Sequence, residues 1–302
     1  MKKQKTVSIK AKLLGVIIPV VIAIVVVLVV AAYQISAGTI KKYSQNLLQS
    51  SVENQASQIE AWLNENLASF QMAKTIIEDL KPSDEELKTI LDGYYGYNSN
   101  YPEGLYVADS TGQLITASES TKKESDVTNS TWYKEGLTRV NMAVGSAYQN
   151  ADGVNVISAS GILNDGSDKV RVISADMTLD RIAIIVNSFI EMNDAEAFLV
   201  DKTSGVILAN RDSSLISQTL GAEGQSHFYQ LTAEKAAEKD YNFATLDGNM
   251  TVFQEVDGTN WLLISYIPTS IVLSDLTQLR NIMIVISVIC IASVSYTHLR
   301  AH

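Results

Sequence analysis

One carboxylate lies where a β-strand would ordinarily have none. Asp176 follows Val172-Ile-Ser-Ala, a run of apolar and small residues typical of a buried strand. Because strand interiors disfavour aspartate, the residue needs a particular reason to be there. It could accept hydrogen bonds from the ammonium group of a ligand, or it could cap a helix predicted from Leu179 to Phe189. The sequence leaves both interpretations open.

Three aromatic side chains are candidates to surround such a ligand. Trp132 and Tyr133 are adjacent, and Tyr148 combines an apolar ring with a hydroxyl. Aromatic residues commonly line concave sites for small molecules, but they also fill ordinary cores. Because neighbouring residues on a helix do not share a face, one of the adjacent pair can face the ligand while the other packs in the core.

The chain offers little for catalysis or for metal binding. Its single cysteine, Cys290, lies in an apolar run near the end, and His227 is the one histidine of the central part. A catalytic triad or a zinc site needs more than these residues supply. Paired carboxylates remain open in so acidic a chain. We expect no enzymatic activity, no metal and no cofactor, and the net charge of −10 argues against a nucleic-acid partner.

Two apolar runs flank the polar part of the chain. We predict a cytoplasmic N-terminus at residues 1–12, whose five lysines favour the inside of a membrane, and a transmembrane helix at 13–33. The alternative, a cleaved signal peptide, has a shorter apolar core. The second run, Ile282–Val294, is short for a span. We interpret 271–294 as a linker helix with a truncated second transmembrane helix and 295–302 as a non-native tail. The alternative is a natural terminus with a re-entrant helix.

A long helix should follow the first span. From Ile40 to Leu80 the apolar residues recur at steps of three, four and seven, which is typical of one helix face. No glycine or proline occurs between Gly38 and Pro82 to interrupt it. We therefore predict a stalk helix at residues 34–80, and a capping box at Ser83–Glu86 predicts a second helix from Asp84 to Tyr94.

The rest of the polar part contains a repeat. Residues 105–117 read as strand, glycine-bearing turn and strand, and residues 198–209 repeat this pattern. The later run 172–174 matches 263–265 in the same way. Two copies at a near-constant offset predict two tandem modules, a membrane-distal module at residues 81–186 and a membrane-proximal module at 187–270. The glycine turns indicate antiparallel sheets. The predicted fold class is α+β, with a long N-terminal stalk helix and two antiparallel-sheet modules.

These features together resemble the double Cache ectodomain of bacterial chemoreceptors and sensor kinases. The best local evidence is residues 126–136, which end in Trp132-Tyr133 and Gly136, together with Tyr148 and the strand-end Asp176. The resemblance implies two PAS-like modules flanked by transmembrane helices. It also implies that the membrane-distal module binds a small ligand, with aromatics against the ligand body and an acid like Asp176 on its amino group. The predicted site is therefore Trp132, Tyr133, Tyr148 and Asp176.

One departure from the pattern of that family limits the class of ligand that we expect. Members that bind amino acids carry an arginine two residues before the tryptophan, where it clamps the ligand carboxylate. This chain has Ser130 there, and Ser125 where a tyrosine is usual. Asp176 is then the only charge that we place in the site. We expect an amine or a polar neutral compound rather than an ordinary α-amino acid.

The resemblance implies extracellular sensing and transmembrane signalling, most readily by a methyl-accepting chemotaxis receptor. The alternatives are the sensor region of a histidine kinase or a diguanylate cyclase and, in another class, a membrane-anchored extracellular hydrolase. We expect a multi-pass protein of the cell membrane with residues 34–280 outside the cytoplasm. The expected partners are a small-molecule ligand, the lipid bilayer, a second copy in a homodimer, and cytoplasmic signalling proteins.

Overall fold

A computed structural model of the chain describes residues 9–151, 153–188, 192 and 194–300. Most of the predicted cytoplasmic segment, and residues 301–302 of the predicted tail, lie outside the described residues. The chain divides into two compact units, one made of residues 1–47 with 267–302 and the other of residues 48–266. Both sheets belong to the second unit, apart from the last two residues of the final strand.

Helix α1 runs without interruption from Ile9 to Leu80. Within the second unit its buried residues follow steps of four and seven, which confirms the predicted stalk helix: Leu48, Val52, Ile59, Leu63, Phe70 and Ile77. The helix lies beside both modules. The carboxylate of Glu78 accepts the backbone N–H of Asn164 at 2.8 Å, and the carboxylate of Glu60 accepts that of Asp257 at 2.7 Å.

The capping box that starts helix α2 (Asp84–Asp92) is confirmed. Ser83 is the N-cap; its hydroxyl accepts the N–H of Glu86, whose carboxylate accepts the N–H of Ser83. The helix ends two residues before the predicted Tyr94. Gly93 then closes it by donating to the carbonyl of Ile90 at 3.1 Å.

The distal sheet has five antiparallel strands. They are β1 (Leu105–Asp109), β2 (Leu114–Ile115), β3 (Ala143–Gln149), β4 (Asn155–Leu163) and β5 (Arg171–Thr178), in the spatial order β2-β1-β5-β4-β3. A 3-10 turn (Val127–Asn129) and helix α3 (Thr131–Gly136) connect β2 to β3. Helix α4 (Asp180–Val186) follows β5.

The proximal sheet repeats this arrangement. Its strands are β6 (Glu196–Asp201), β7 (Ile207–Asn210), β8 (Ala244–Leu246), β9 (Asn249–Val256) and β10 (Trp261–Pro268), in the order β7-β6-β10-β9-β8. A 3-10 turn (Ser213–Leu215) and helix α5 (His227–Ala237) take the positions of the distal turn and α3. The identical strand order confirms two tandem antiparallel modules.

One predicted correspondence between the modules is wrong by one residue. Val172 packs beneath Trp132 of α3, and the residue that packs in the same way beneath Phe228 of α5 is Leu262, whereas the sequence matched Val172 to Leu263. With the match corrected by one residue, the counterpart of Asp176 in the proximal module is Tyr266. The correction matters because a shift of one residue moves a strand side chain to the opposite face of the sheet.

Helices α6 (Thr269–Val272) and α7 (Ser274–Arg300) complete the fold. Within the described part of the chain, two helices have the length and composition to cross a membrane. An 18-residue window in α1, within Gly15–Leu80, has a mean hydropathy of 3.3, and the window Leu276–Ser293 in α7 has 1.7. The second window begins six residues before the predicted run Ile282–Val294.

Candidate ligand-binding site

The sheet face beneath α3 is unusually polar. Side chains of β5 alternate between two faces, so that Ser174 and Asp176 share one face with Ser158 and Ser160 of β4. All four are at most 7% exposed. Helix α3 lies directly on this face because Gly136 has no side chain. A Cβ there would stand 2.3 Å from a methyl carbon of Val172.

Asp176 lies inside β5, where it pairs with Ser158 across the sheet. Helix α4 begins at Asp180, and its N-cap, Leu179, provides no side-chain cap. The alternative in which Asp176 caps this helix is therefore wrong, because the residue is four positions before the helix and turned towards the sheet face. The predicted end of the helix, Phe189, lies outside the described residues.

The carboxylate of Asp176 is surrounded by donors. Its Oδ1 accepts the hydroxyls of Tyr106 and Ser158, each at 2.5 Å, and that of Tyr148 at 3.0 Å. Its Oδ2 accepts Nζ of Lys122 at 2.6 Å. The ammonium group of Lys122 also stands 4.2 Å from the ring centroid of Tyr106, a cation–π distance. These five residues form one contact network, called here the Asp176 cluster.

Lys122 corrects the expectation that Asp176 supplies the only charge in this place. The two side chains are 10% and 8% exposed, so the ion pair is largely withdrawn from water. Sequence reasoning missed Lys122 because it lies in the irregular segment between β2 and α3, where no periodicity assigns a side chain to a face. It missed Tyr106 because β1 is buried throughout and reads as ordinary core.

The two tyrosines of the cluster remain protonated donors. Burial raises the pKa of Tyr106 well above its ordinary value, and the negative charge of Asp176 raises it further. Burial and the same carboxylate also raise the pKa of Tyr148. Both hydroxyls are therefore held in the form that donates to Asp176 throughout the physiological pH range.

The two adjacent aromatic residues pack together, with their ring centroids 5.8 Å apart, but they differ in their contacts with the Asp176 cluster. Trp132 is fully buried, its ring meets that of Tyr106 edge-on at 4.9 Å, and its Nε1 donates to Glu124 at 2.9 Å. Burial and the negative charge of Asp109, at the far end of β1, raise the pKa of Tyr133. The structure thus brings Tyr148 and, through Tyr106, Trp132 to Asp176. Among the described residues, it gives Tyr133 no hydrogen bond to the cluster.

The ring of Tyr148 reaches beyond the cluster. It is one wall of a cavity of about 240 Å³ with Asn155, Leu179 and, from the proximal module, Ile207 and Ser217. The hydroxyl of Ser217 donates to Asn155 Oδ1 at 3.0 Å. The same tyrosine therefore donates its hydroxyl to the carboxylate and also lines the cavity that residues of both modules border.

The proximal module has no comparable polar face in its described part. Tyr266 stands in place of Asp176, and its hydroxyl donates to Glu196 at 2.5 Å. Its ring packs 4.4 Å from Phe228 and 6.3 Å from Phe198. His227 is exposed at the start of α5. A buried carboxylate beneath the covering helix is thus a feature of the distal module.

The paired sheets, the stalk helix and the polar distal face agree with one known family. The family model of the Cache domain matches residues 32–276. The chain belongs to the Cache domain family. The resemblance inferred from the sequence is thereby confirmed. No curated protein sequence matches the chain.

Three solved structures similar to this Cache domain protein are chemoreceptor ligand-binding domains. That of Pseudomonas fluorescens CtaA with L-isoleucine is 20% identical, with a TM-score of 0.62 over 79% of this chain and 98% of that one. The domain of Campylobacter jejuni Tlp3 with L-norvaline is 17% identical, with a TM-score of 0.61 over 78% of this chain and 94% of that one. The domain of Pseudomonas aeruginosa PctC with GABA is 19% identical, with a TM-score of 0.57 over 74% of this chain and 99% of that one. At these identities the similarity establishes the fold.

Proposed function

We propose that this chain is the extracellular sensory part of a chemotaxis receptor that is anchored in the cell membrane. Three observations support the proposal: membership of the Cache family, a helix near each end that has the composition of a membrane span, and a fold shared with chemoreceptor ligand-binding domains. Signal detection requires binding rather than catalysis, and we propose no enzymatic activity.

We further propose that the ligand binds on the polar face of the distal module, around Trp132, Tyr148 and Asp176, with Tyr133 supporting Trp132 through an edge-on ring contact at 5.8 Å. The observation that carries this proposal is the Asp176 cluster, a buried carboxylate with converging hydroxyls beneath an aromatic helix. Concave sites with a few convergent polar groups among aromatic side chains are typical for small ligands. The proximal face has an aromatic core in the same position.

The proposed ligand carries an amine or polar neutral groups. In place of the arginine of the amino-acid receptors stands Ser130, the N-cap residue that precedes α3, and its hydroxyl donates to the carbonyl of Val127 at 2.5 Å. It has neither the charge nor the free donor to hold a ligand carboxylate. Lys122 does not replace that arginine while its ammonium is paired with Asp176. The three similar chemoreceptor domains are complexes with L-isoleucine, L-norvaline and GABA, each of which has an amino group.

A ligand can shift only an equilibrium between states that it binds differently. The described contacts provide a connection for such a shift. Strand β5 continues through Leu179 into α4, and the side chain of Gln55 on α1 donates to the last carbonyls of this segment, Ile185 at 3.1 Å and Ser188 at 2.7 Å. We propose that movement at Asp176 reaches the stalk helix in this way, and that a homodimer of stalk helices passes it to cytoplasmic signalling proteins.

A binding screen and a signalling assay test the proposal together. The full chain in detergent micelles is heated with primary amines, amino acids and neutral polyols, since a ligand of the folded state raises the melting temperature. Compounds that do so are applied to cells in which residues 1–294 are fused to the cytoplasmic part of a receptor with known output. We expect a primary amine to act in both assays. If no compound changes output, the receptor proposal is wrong.

A further inference from the structure

The ammonium group of Lys122 occupies the position in which a ligand ammonium would be expected. Oδ1 of Asp176 already has three hydroxyl donors, and Oδ2 accepts Lys122 at 2.6 Å. The tyrosine ring below contributes the π face that also suits an organic cation. A ligand ammonium cannot join this arrangement as an additional partner without taking the place of the lysine.

Lys122 belongs to a segment that lies over the site. Between Ile115 and Val127 the described residues contain no helix and no strand. Two side chains of this segment reach the buried site, Lys122 to Asp176 and Glu124 to the indole N–H of Trp132. The start of the segment is held elsewhere, since Ser118 donates to Asp92 at 3.0 Å and Ser120 to Glu103 at 2.5 Å. The ion pair of Lys122 is thus the contact that fastens the middle of the segment to the sheet.

We infer that Lys122 is a tethered competitor of the ligand, and that a protonated amine binds by displacing it from Asp176. This inference rests on the proposed ligand site. A buried carboxylate without a cationic partner is strongly unfavourable, so the lysine leaves only when another cation replaces it. A neutral compound leaves the ion pair and the segment in place. The exchange therefore selects a primary ammonium ligand and couples its binding to release of residues 116–126.

The variant Lys122→Met tests the inference because it keeps an apolar stem over Tyr106 and removes the competing charge. The probe is ethylammonium chloride, which imitates the end of a lysine side chain, with sodium chloride at equal ionic strength as the reference. Melting temperatures of the full chain in detergent are measured against probe concentration to obtain an apparent Kd. Lys123→Met is the matched control, since it removes the same charge from the exposed neighbouring position.

We expect Lys122→Met to bind ethylammonium at least tenfold more tightly than the unmodified chain and Lys123→Met to match the unmodified chain. Adding Asp176→Asn to Lys122→Met should abolish the gain. Equal or weaker binding by Lys122→Met would overturn the inference. If that variant does not fold, hydrogen exchange of the unmodified chain decides. Backbone amides 116–126 should exchange faster with ethylammonium than with sodium, while unchanged exchange contradicts displacement.

These results are separable from those of the receptor proposal. Tighter binding by Lys122→Met supports the tethered competitor even if the fusion receptor gives no output. Conversely, a fusion receptor that responds to a compound, together with unchanged ethylammonium binding by Lys122→Met, leaves the receptor proposal in place and removes the competitor.

Discussion

The side-chain amide of Gln55 donates to the carbonyl oxygen of Ser188 at 2.7 Å, across 133 residues of chain. The same nitrogen reaches the carbonyls of Ile185 and Val186 at 3.1 and 3.3 Å. The last carbonyls of a helix have no partner within the helix, so Gln55 satisfies the end of α4 from the stalk helix. The segment that follows the strand of Asp176 and the stalk helix α1 are thus joined through one buried side chain.

Replacing Gln55 should loosen this junction. Gln55→Met removes the donor to the carbonyls of Val186 and Ser188, which should lower the free energy of unfolding by about 1–3 kcal/mol. Gln58→Met, at an exposed position of the same helix, is the control and should change it by less than about 0.5 kcal/mol. Chemical denaturation of both variants measures the difference. Equal stability of the two would show that the Gln55 contacts contribute nothing.

Gly136 should tolerate no larger residue. In Gly136→Ala the new methyl group meets the side chain of Val172, and such overpacking typically costs about 1–3 kcal/mol. Gly38→Ala provides the contrast, because its Cβ meets nothing within 4 Å in the interior of α1. There, alanine should stabilise the helix by up to about 1 kcal/mol. The melting temperature should therefore fall in Gly136→Ala and rise in Gly38→Ala. A neutral Gly136→Ala would mean that α3 is not seated on the sheet.

Local signals in the sequence predicted most of the architecture. The stalk helix follows from a long apolar period without glycine or proline, and α2 from the reciprocal bonds of Ser83 and Glu86. The hairpins follow from glycines such as Gly112 and Gly205, whose φ angles of 85° and 71° favour glycine over other residues. Each of these features is recognised from residues that are close together in the sequence, so no tertiary contact is needed to predict it.

Two features escaped prediction because the decisive information is not local. Strands β5 and β10 are buried along almost their whole length, and a strand buried on both faces has no polar alternation to assign its faces. The sequence therefore matched Val172 to Leu263, one residue away from its true counterpart Leu262. Lys122 lies 54 residues from Asp176 in an irregular segment, so its partner could be found only from the folded chain.

Asp109 should make stability depend on pH in the acid range. Although burial raises its pKa, hydrogen bonds from Lys169, Thr111 and backbone N–H groups lower it to about 2, from an ordinary 3.8. A carboxyl group whose pKa is lower in the folded than in the unfolded chain stabilises the fold fully at pH values above its unfolded pKa. This stabilisation is lost as the pH falls from about 4 to about 2. We expect Asp109→Asn to cost about 1–2 kcal/mol at pH 7 and progressively less below pH 4. Denaturation of both chains between pH 2 and 7 measures this. A constant difference would contradict the assignment.

The stalk helices of two chains should lie together in the membrane-anchored protein. Membrane anchoring raises the effective concentration of the two copies, and α1 exposes several positions between residues 40 and 60. Single cysteines are introduced after Cys290→Ala at Asn46, Ser50, Glu53 and Ser57, which share the exposed face of α1 because their spacings of three and four residues return to the same side of a helix. We expect disulfide crosslinks in membranes at one or more of these positions. Absence of a crosslink at every exposed position of this stretch argues against the dimer.

Charge at Asp176 should govern affinity for a cationic ligand. In Asp176→Asn the side chain keeps its shape and can still accept the hydroxyls of Tyr106 and Ser158, but it no longer offers a negative charge to an ammonium group. Affinity for a primary amine should fall at least tenfold, equivalent to about 1.4 kcal/mol, whereas affinity for a neutral compound should change little. Asp168→Asn, which removes the same charge from an exposed turn, is the matched control and should bind like the unmodified chain. Calorimetric titration of the three proteins makes the comparison. If Asp176→Asn and Asp168→Asn lose equal affinity, net charge and not the Asp176 cluster attracts the ligand.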